Sequence, residues 1–397
     1  MKKLSKEIWI VAAKRTPFGT LSGSLKSVSA IDLAVHASKA ALAQSGIDPK
    51  EIGHMLLGNV QQTSRDAIYG ARHVGLKAGL PIEVPALTVN RLCGSGFQAV
   101  VTAAEQILLG DAHAVLAAGS ENMSQSPHAL WGLRDGARFG KPPELVDTLW
   151  EALTDSYCKT PMAVTAENLA DKYKVTREDA DRFALRSQQK WAAAQESGAF
   201  ADEIAPMEVK AGRKMLDFDK DEHPRPGTTM EALAKLSPVF KKDGVVTAGN
   251  ASGICDGAGA LVVVDAEWGK AQGLKPLAKL LQWGVAGVEP TLMGIGPAPA
   301  IRSAMDRAGL TMKDVDLFDV NEAFASQFLA VQRELELPED RTNVNGGAIA
   351  LGHPLGASGA RITANLVYTL RRQNKRLAVG SACIGGGQGI AVVLEAV

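Results

Sequence analysis

A single cysteine stands where the chain changes from a predicted strand to a predicted helix. In "NRLCGSGFQAV", Cys93 follows "LTVN" and precedes the helix-forming "FQAVVTAAEQILL". Free N–H groups and the dipole at a helix start favour a thiolate, so we predict a lowered pKa for this thiol. Gly94 and Gly96 would let a substrate approach the backbone closely. Free cysteines are also common as buried packing residues, so this turn alone leaves both interpretations open.

Three further residues with useful chemistry follow predicted strands. His353 in "NGGAIALGHPLGASGAR" can act as a base if a hydrogen bond fixes its other ring nitrogen. Cys383 in "GSACIGGGQGI" offers a second thiol suited to proton exchange with a carbon acid, beside backbone N–H groups that could hold an oxyanion. Asn321 in "DVNEAFA" could order a water or donate to such an oxygen. Each residue could instead have a structural role: His353 as a hydrogen-bonded polar group, Cys383 as a small packing residue and Asn321 as a turn residue at a strand end.

Two parts of the chain repeat each other, which relates these turns to one another. Residues 40–60 and 303–324 share the order helix, glycine stop, acidic turn and apolar strand. In a second matched pair, each member runs from "VN" through a glycine-rich turn and a long helix to a strand ending in "AGS" or "VGS". This internal duplication predicts two similar halves. Across a pseudo-twofold, Cys93 and His353 become plausible neighbours as nucleophile and base.

The elements that must position these residues form an alternating pattern. Strands alternate with helices of a dozen or more residues, which predicts an α/β fold with functional loops at the carboxyl ends of the strands. Charged residues concentrate in 134–250, where helical patterns replace strands, and this indicates an inserted segment covered by solvent. Strand character resumes at 255–267 and is expected to return to the sheet of the first half. We expect a first half over 1–121, completed by about 251–271, an inserted domain over 122–250 and a second half over 272–397.

Composition argues against several classes of function. The 43 basic and 43 acidic residues give no net charge, so nothing supplies the basic field that nucleic acid binding needs. No apolar run approaches the roughly 18 residues of a membrane-spanning helix, so we expect no membrane insertion. The four cysteines lie far apart and no histidine pair has helical metal-site spacing, so neither disulfides nor a metal are expected. After Lys6 the chain enters the strand-like "IWIVAA", so we expect no removable signal.

Taken together, these motifs resemble a known family. The segments "NRLCGSGFQA", "VNEAFA", "GGAIALGHPLGASG" and "SACIGGGQG", in this order, resemble the four signature blocks of the thiolases over essentially the whole chain. "IVAAKRTPFG", "DAIYGARHVGL" and "TAGNASG" are most similar to degradative 3-ketoacyl-CoA thiolases of the mitochondrial type, which also occur in bacteria. The resemblance implies a five-layer α/β/α/β/α fold with a loop domain inserted over the active site. It also implies a homotetramer of paired dimers, in the cytoplasm or, for a eukaryotic source, the mitochondrial matrix.

The resemblance implies a division of labour between two thiols. Cys93 would take the acyl group as a thioester, and His353 would activate that thiol and help polarise the substrate carbonyl. Cys383 would exchange a proton with the α-carbon of acetyl-CoA. Asn321 would hold the water of one oxyanion hole, and the backbone N–H groups of Cys93 and Gly385 would form the other. Two thiols are needed because one group must hold the acyl chain while another manages the carbanion.

Seven further positions match those that line the coenzyme A site in the family. They are Met162, Arg225, Phe240, Ala248, Ser252, Met293 and Phe324. The charge of Arg225 could instead be a solvated surface charge. Pro161 stands where biosynthetic acetoacetyl-CoA thiolases usually have histidine, which favours a broader 3-ketoacyl-CoA range. Coenzyme A and acetyl-CoA would be substrates, and we expect no metal and no tightly bound cofactor.

The sequence therefore predicts a CoA-dependent acyltransferase with a ping-pong mechanism. It would cleave 3-oxoacyl-CoA with CoA to acetyl-CoA and a shortened acyl-CoA, as in fatty acid β-oxidation, and catalyse the reverse Claisen condensation, including that to acetoacetyl-CoA. Decarboxylating ketoacyl synthases share the fold but normally lack the "CIGGG" cysteine. An acyl-CoA hydrolase would result if water intercepted the acyl-cysteine. A non-catalytic acyl-CoA- or lipid-binding homologue conflicts with the intact set of Cys93, Asn321, His353 and Cys383.

Overall fold

The structure, a computed structural model, describes residues 4–211 and 214–397. Residues 1–3 begin the segment in which we expect no removable signal, and they lie outside the described residues. The strands are β1 (Ile8–Arg15), β2 (Gly19–Thr20), β3 (His54–Gly58), β4 (Ala86–Val89), β5 (Ala114–Asn122), β6 (His128–Leu130), β7 (Leu145–Asp147), β8 (Thr154–Asp155), β9 (Thr160–Pro161), β10 (Met207–Ala211), β11 (Lys214–Phe218), β12 (Cys255–Asp265), β13 (Ala278–Gly287), β14 (Leu317–Val320), β15 (Leu377–Ile384) and β16 (Gln388–Ala396). The α-helices are α1 (Ala30–Ser45), α2 (Gly70–Ala78), α3 (Ser95–Leu109), α4 (Thr148–Ala152), α5 (Met162–Tyr173), α6 (Arg177–Glu196), α7 (Met230–Ala234), α8 (Ala266–Ala271), α9 (Pro297–Ala308), α10 (Ala325–Leu335), α11 (Ala348–Leu351) and α12 (Ser358–Arg372).

The two halves of the chain build sheets with the same order and the same strand directions. The order is β1, β12, β5, β3, β4 in the first half and β13, β16, β15, β14 in the second. In each half the first two neighbouring pairs are antiparallel and the next pair is parallel. A parallel bridge between Phe318 and Thr342 takes the place in the second half that β4 has in the first. The predicted duplication is confirmed, and antiparallel pairing of β1 with β13 joins both halves in one sheet.

Helices and sheets stack in five layers. Helices α1 and α2 cover the outer face of the first half's sheet, and α9 and α10 cover that of the second. Helices α3 and α12 pack against each other between the two halves of this sheet, and Phe97 and Ile362 lie in this shared core. The α/β/α/β/α arrangement is thus the one that the family resemblance implied.

The matched glycines of the repeat end matched helices. Gly46 follows α1 with a φ of 68°, and Gly309 follows α9 with a φ of 67°. Both angles lie in the left-handed region, which glycine adopts without steric cost and which stops an α-helix. The glycine stops predicted from the sequence therefore lie at true helix ends.

One helical stretch among the described residues corrects the sequence analysis. Leu92–Leu109 is long and apolar enough, by length and composition, to cross a membrane, so the statement that no run approaches that length is wrong. Most of this stretch is buried inside the protein, where it forms α3 of the central layer. The core helix of a folded domain meets the same criterion, so the stretch is weak support for a membrane span.

The residues between β5 and β12 form a separate set of short hairpins and helices. The hairpins are β6 with β7, β8 with β9 and β10 with β11, and α6 packs on α10 and α11. A buried ion-pair cluster ties this segment to β1: the Arg15 guanidinium lies 2.7 Å from Glu203 and 2.7 Å from Asp221. Strand β12 then lies between β1 and β5.

Candidate active site

The turns that carry the predicted chemistry meet because α3 and α12 begin side by side. A Cβ on Gly359 would lie 2.1 Å from the backbone nitrogen of Phe97, and one on Gly96 would lie 2.7 Å from the carbonyl oxygen of Gly356. No side chain fits at these positions, so the helix starts pack backbone against backbone. The prediction that Gly94 and Gly96 make room for a substrate is wrong, because Gly94 likewise faces an isoleucine side chain of β15.

Cys93 lies in the predicted strand-to-helix turn, between β4 and α3. The turn requires a φ of 45° at Leu92, a left-handed conformation that non-glycine residues rarely adopt. The Cys93 sulfur accepts hydrogen bonds from its own N–H and from that of Gly385. Burial, with a smaller contribution from the Glu121 carboxylate, nevertheless raises the pKa of the Cys93 thiol to about 11. The predicted lowering is therefore wrong, because desolvation of a thiolate here outweighs the two N–H donors.

His353 is buried and held by its other ring nitrogen, as a base requires. Its Nδ1 lies 2.6 Å from the Ser358 hydroxyl, which lies 3.1 Å from the carbonyl oxygen of Pro354. We assign the hydroxyl proton to that carbonyl, so the imidazole donates from Nδ1 and keeps Nε2 as an acceptor. The Asn321 amide nitrogen lies 3.3 Å from Nε2. Burial and the Arg361 cation lower the pKa of His353 to about 3, so the ring is neutral at ordinary pH.

The other two predicted residues, Cys383 and Asn321, are buried next to Cys93 and His353. Cys383 is fully buried in β15, and burial followed by the proximity of Cys93 raises the pKa of its thiol. The two thiols are thus close enough to interact electrostatically. The side-chain oxygen of Asn321 is a buried acceptor without a donor among the described residues. Such an atom fits the predicted role of holding a water, because buried polar groups are normally hydrogen-bonded.

An apolar cavity joins the reactive groups to five of the seven predicted coenzyme A positions. It encloses about 760 Å³ of empty space, including its open mouth, and Cys93 and His353 line it. The five predicted positions in its wall are Met162, Phe240, Ser252, Met293 and Phe324. Sequence analysis missed several apolar side chains of the same wall, namely Met123, Trp150, Leu153, Ile254 and Leu355. The cavity therefore favours an apolar ligand whose reactive end reaches Cys93.

The remaining two predicted positions line a neighbouring cavity. Arg225 and Ala248 border it together with Gln188 and His223. The Arg225 backbone N–H donates to the Gln188 side chain over 2.8 Å, while its guanidinium side chain belongs to an exposed residue. One loop serves both cavities, since Ala248 lines one and Ser252 the other.

Sequence reasoning also missed two buried residues that hold the site. Ser358 follows His353 by five residues at the start of α12, so its position in "HPLGASG" could have suggested a partner for the imidazole. Glu121 lies near the end of β5 with both side-chain oxygens hydrogen-bonded, and nothing in "AGSEN" distinguishes it from an exposed carboxylate.

The arrangement is suited to acyl transfer. A half-buried thiol, a neutral imidazole whose Nε2 is an acceptor and two converging backbone N–H groups are the parts that form and stabilise a covalent acyl intermediate. The second thiol next to the first adds a proton donor. No cluster of three or more His, Cys, Asp or Glu residues suited to a metal ion occurs in the part of the chain that the structure describes.

Comparison with known proteins defines the class to which this fold and site belong. The thiolase N-terminal domain matches residues 8–267, and the thiolase C-terminal domain matches residues 274–396. The chain belongs to the thiolase family.

Individual relatives are similar over nearly their whole length. The mitochondrial 3-ketoacyl-CoA thiolase of Homo sapiens is 54% identical and that of Mus musculus 56%, each over 99% of this chain and 99% of the relative. The acetyl-CoA acetyltransferase of Pseudomonas aeruginosa is 48% identical over 98% of this chain and 99% of its own. The crystal structure of the human mitochondrial 3-ketoacyl-CoA thiolase in complex with CoA matches with a TM-score of 0.97 and 54% identity, covering 100% of this chain and 99% of that one.

Proposed function

We propose that the protein is a thiolase that cleaves 3-oxoacyl-CoA with CoA to acetyl-CoA and a shortened acyl-CoA, and catalyses the reverse Claisen condensation. The observation that carries this proposal is the pair of neighbouring thiols, the half-buried Cys93 and the buried Cys383, with the neutral imidazole of His353 lining the same cavity as the first. The names of the relatives, 3-ketoacyl-CoA thiolase and acetyl-CoA acetyltransferase, support both directions.

In the first half-reaction His353 acts as the general base. Its Nε2 takes the Cys93 proton while the sulfur attacks the 3-oxo carbonyl, and the N–H groups of Cys93 and Gly385 donate to the oxygen that becomes negative. Because the pKa of Cys93 is raised to about 11 and that of His353 lowered to about 3, a resting ion pair of thiolate and imidazolium is unfavourable. Proton transfer therefore accompanies the attack.

Cys383 completes that half-reaction as the acid. The bond between C2 and C3 of the substrate breaks, and its electron pair becomes the enolate of acetyl-CoA, whose oxygen would face a water held by Asn321. The raised pKa of Cys383 keeps its thiol protonated, which is the form needed to protonate the enolate carbon. In the second half-reaction the thiolate left on Cys383 takes the proton of a CoA thiol, whose sulfur attacks the acyl-cysteine. The bond between the acyl carbon and Cys93 breaks, the acyl group moves to CoA, and protonated His353 returns its proton to the sulfur of Cys93.

For coenzyme A we propose that the pantetheine arm follows the cavity that leads to Cys93. Met162, Met293 and Phe324 would contact the arm, and Ser252 and Phe240 would lie near its outer part. All five residues line this cavity. Arg225 and Ala248, in the neighbouring cavity, would contact the nucleotide end. This arrangement uses the two cavities for the two ends of one ligand. We propose that CoA acts only as a substrate and that no tightly bound cofactor takes part.

For the acyl group we propose a range wider than acetoacetyl-CoA. The wall around Cys93 is almost wholly apolar, and Trp150 and Leu153 add apolar surface next to Pro161. Each methylene buried against such a wall contributes about 0.8 kcal/mol, so longer acyl chains gain affinity. The same apolar wall disfavours water near the thioester, which argues against a hydrolase.

We further propose the assembly, location and domain division that follow from family membership. Exposed apolar side chains on and beside the β6–β7 hairpin support a homotetramer of paired dimers, since patches of this kind mark protein contacts; they are Leu130, Trp131, Leu133, Phe139 and Leu145. The expected cytoplasmic location gains no support from the relatives named mitochondrial, which support the mitochondrial matrix instead. The insertion of β12 between β1 and β5 supports the division into 1–121 with 251–271, 122–250 and 272–397.

The activity is tested by thiolysis. Purified protein is mixed with CoA and with acetoacetyl-CoA or longer 3-oxoacyl-CoA esters, and the loss of the 3-oxoacyl thioester is followed by absorbance and by chromatography of the products. We expect acetyl-CoA and the shortened acyl-CoA in equal amounts. Cleavage of none of these esters by folded protein would refute the proposal, and release of free acid without transfer to CoA would favour the hydrolase.

A further inference from the structure

Glu121 is a fully buried carboxylate to which the proposed mechanism gives no role. It lies near the end of β5, with no exposed surface. One side-chain oxygen accepts from the Gln61 backbone N–H over 3.0 Å and from the Asn59 amide over 3.2 Å. The other accepts from the backbone N–H groups of Gly356 over 3.0 Å and Val60 over 3.2 Å. Four donors thus converge on one side chain, which is the environment of an ionised carboxylate.

The four donors come from both halves of the protein. Asn59, Val60 and Gln61 follow directly after β3 in the first half. Gly356 belongs to the second half, in the turn that leads from His353 into α12. Glu121 therefore connects the end of one sheet to the turn that carries the proposed base.

Close packing leaves that turn little freedom to adjust by itself. A Cβ on Gly356 would lie 2.5 Å from the carbonyl oxygen of Ser120, and a Cβ on Gly119 would lie 2.2 Å from the carbonyl oxygen of Gly356. The turn is thus pressed against the end of β5, and Glu121 supplies the hydrogen bond to its backbone nitrogen. If a side-chain oxygen of Glu121 is replaced by a hydrogen-bond donor, the turn must move or a buried N–H group is left unpaired.

Glu121 also acts on the proposed nucleophile through its charge. Its carboxylate contributes to the raised pKa of Cys93, and Cys93 in turn contributes to the raised pKa of Cys383. Asp256, on the adjacent β12, is the charged group that faces Glu121 itself. Burial raises the pKa of Glu121 to about 7, and its three backbone donors oppose that rise, so the carboxylate is mainly ionised at pH 8.

We propose that Glu121 is a positioning residue: its carboxylate fixes the turn after His353 against the end of β3, which aims the imidazole at Cys93. This inference rests on the proposed thiolase function. The carboxylate touches neither substrate nor reacting atoms in this scheme, and it acts through the backbone of the turn. A second effect of the same charge is to disfavour the free thiolate of Cys93 in the resting protein.

Glu121→Gln is the most informative variant, because it keeps the size of the side chain and removes the charge. An amide has one acceptor oxygen, so its NH₂ group would face two of the four N–H donors. We expect the kcat of thiolysis to fall about 10- to 100-fold with the KM for CoA within about 2-fold, since the site loses alignment rather than its ligand contacts. Glu105→Gln, which neutralises a half-buried carboxylate on α3, is the matched control and should change neither constant.

Alkylation of the thiols gives a second readout that does not require turnover. The rate of Cys93 modification by iodoacetamide at pH 8 is followed by mass spectrometry of its peptide, with the Cys158 peptide as an internal reference. Loss of the Glu121 charge lowers the pKa of Cys93 and enlarges its thiolate fraction, so we expect faster modification in Glu121→Gln, about 3-fold. Glu121→Asp keeps the charge and shortens the reach, so it should lose kcat while its Cys93 is modified at the unaltered rate.

The outcomes separate this inference from the proposed function. A kcat for Glu121→Gln within 2-fold of the unmodified protein, or a KM that rises in proportion to the loss of activity, would overturn the positioning role. If Glu121→Gln does not fold, full activity of Glu121→Asp would overturn it equally. If the unmodified protein shows no thiolysis, the proposed function fails, and unchanged Cys93 alkylation in Glu121→Gln would then reject the electrostatic part on its own.

Discussion

Replacement of Ser358 by alanine should disable the proposed base without removing it. Ser358 is buried at the start of α12, and its hydroxyl lies 2.6 Å from Nδ1 of His353 and 3.1 Å from the carbonyl oxygen of Pro354. In Ser358→Ala the Nδ1 hydrogen loses its acceptor in a site from which water is largely excluded. The ring then gains by turning or by adopting the other tautomer, which places a hydrogen on Nε2. Either change removes the acceptor that takes the Cys93 proton.

The magnitude follows from the hydrogen bonds that are lost. A buried donor left without a partner costs about 1 to 3 kcal/mol, and 1.4 kcal/mol corresponds to a factor of ten. If the cost falls on the reactive tautomer, kcat decreases by roughly 5- to 150-fold, while the KM for CoA changes little because Ser358 does not line the cavity described above. The free energy of unfolding should fall by a similar amount, about 1 to 3 kcal/mol, because the buried Nδ1 hydrogen is left without an acceptor; the carbonyl of Pro354 keeps the backbone N–H donors of Ala357 and Ser358.

A control on the same helix separates stability from catalysis. Thr363→Val in α12 also removes a fully buried hydroxyl, one that donates to the carbonyl oxygen of Gly359 over 2.7 Å, but this hydroxyl has no contact with the imidazole. Steady-state thiolysis and urea unfolding of both variants are compared, and NMR of ¹⁵N-labelled histidine reports the tautomer of His353. We expect a loss of kcat and an altered tautomer in Ser358→Ala alone. Equal losses of kcat in both variants, or an unchanged tautomer in Ser358→Ala, would refute this reasoning.

Three further predictions concern stability and specificity. The pKa of His353 is about 3 in the folded protein and near 6.5 when unfolded, so its contribution to stability is complete above pH 6.5 and is lost as the pH falls toward 3. Between pH 7 and pH 5 this loss amounts to about 2 kcal/mol, and His353→Gln should unfold in urea with that much less pH dependence; the same pH dependence in the variant would contradict the assigned pKa. Arg15→Met leaves the buried carboxylates of Glu203 and Asp221 without their cation and should lower the free energy of unfolding by about 3 to 5 kcal/mol, whereas a loss below 1 kcal/mol in urea would contradict the buried ion pairs. Trp150→Ala removes apolar wall from the cavity and should reduce kcat/KM for long-chain 3-oxoacyl-CoA about 5- to 30-fold more than for acetoacetyl-CoA; an equal effect on all chain lengths would argue against an acyl contact.

Much of the fold could be predicted because it repeats. The glycine stops at Gly46 and Gly309 and the matched "VN" turns are local signals, and their recurrence predicted two halves before any contact was known. The same repeat predicted that Cys93 and His353 meet, since equivalent helix starts face each other across a pseudo-twofold. The role of the glycines was misjudged, because a local pattern does not tell whether a ligand or a second helix occupies the space at Gly96.

The electrostatics of the site could not be predicted from local pattern. The helix start at Cys93 predicted a lowered pKa, but desolvation of the thiol reverses the sign, and desolvation depends on the whole fold. The roles of Glu121 and Arg15 could not be predicted for the same reason. Each is one charged residue among the 86 of the chain, and only the folded structure shows that its partners are distant in sequence and buried with it. The apolar wall at Trp150 likewise comes from a segment without a motif.

The central claim, that one thiol carries the acyl group and the other moves the proton, is tested most directly by isolating the acyl-enzyme. Unmodified protein, Cys93→Ala and Cys383→Ala are incubated with acetyl-CoA, and the active-site peptides are weighed by mass spectrometry while condensation to acetoacetyl-CoA is assayed in parallel. The account predicts an acetyl group on Cys93 in the unmodified protein and in Cys383→Ala. Only the unmodified protein should catalyse condensation, and Cys93→Ala should show neither acetylation nor condensation. An acetyl group on Cys383, or full condensation by Cys383→Ala, would contradict it.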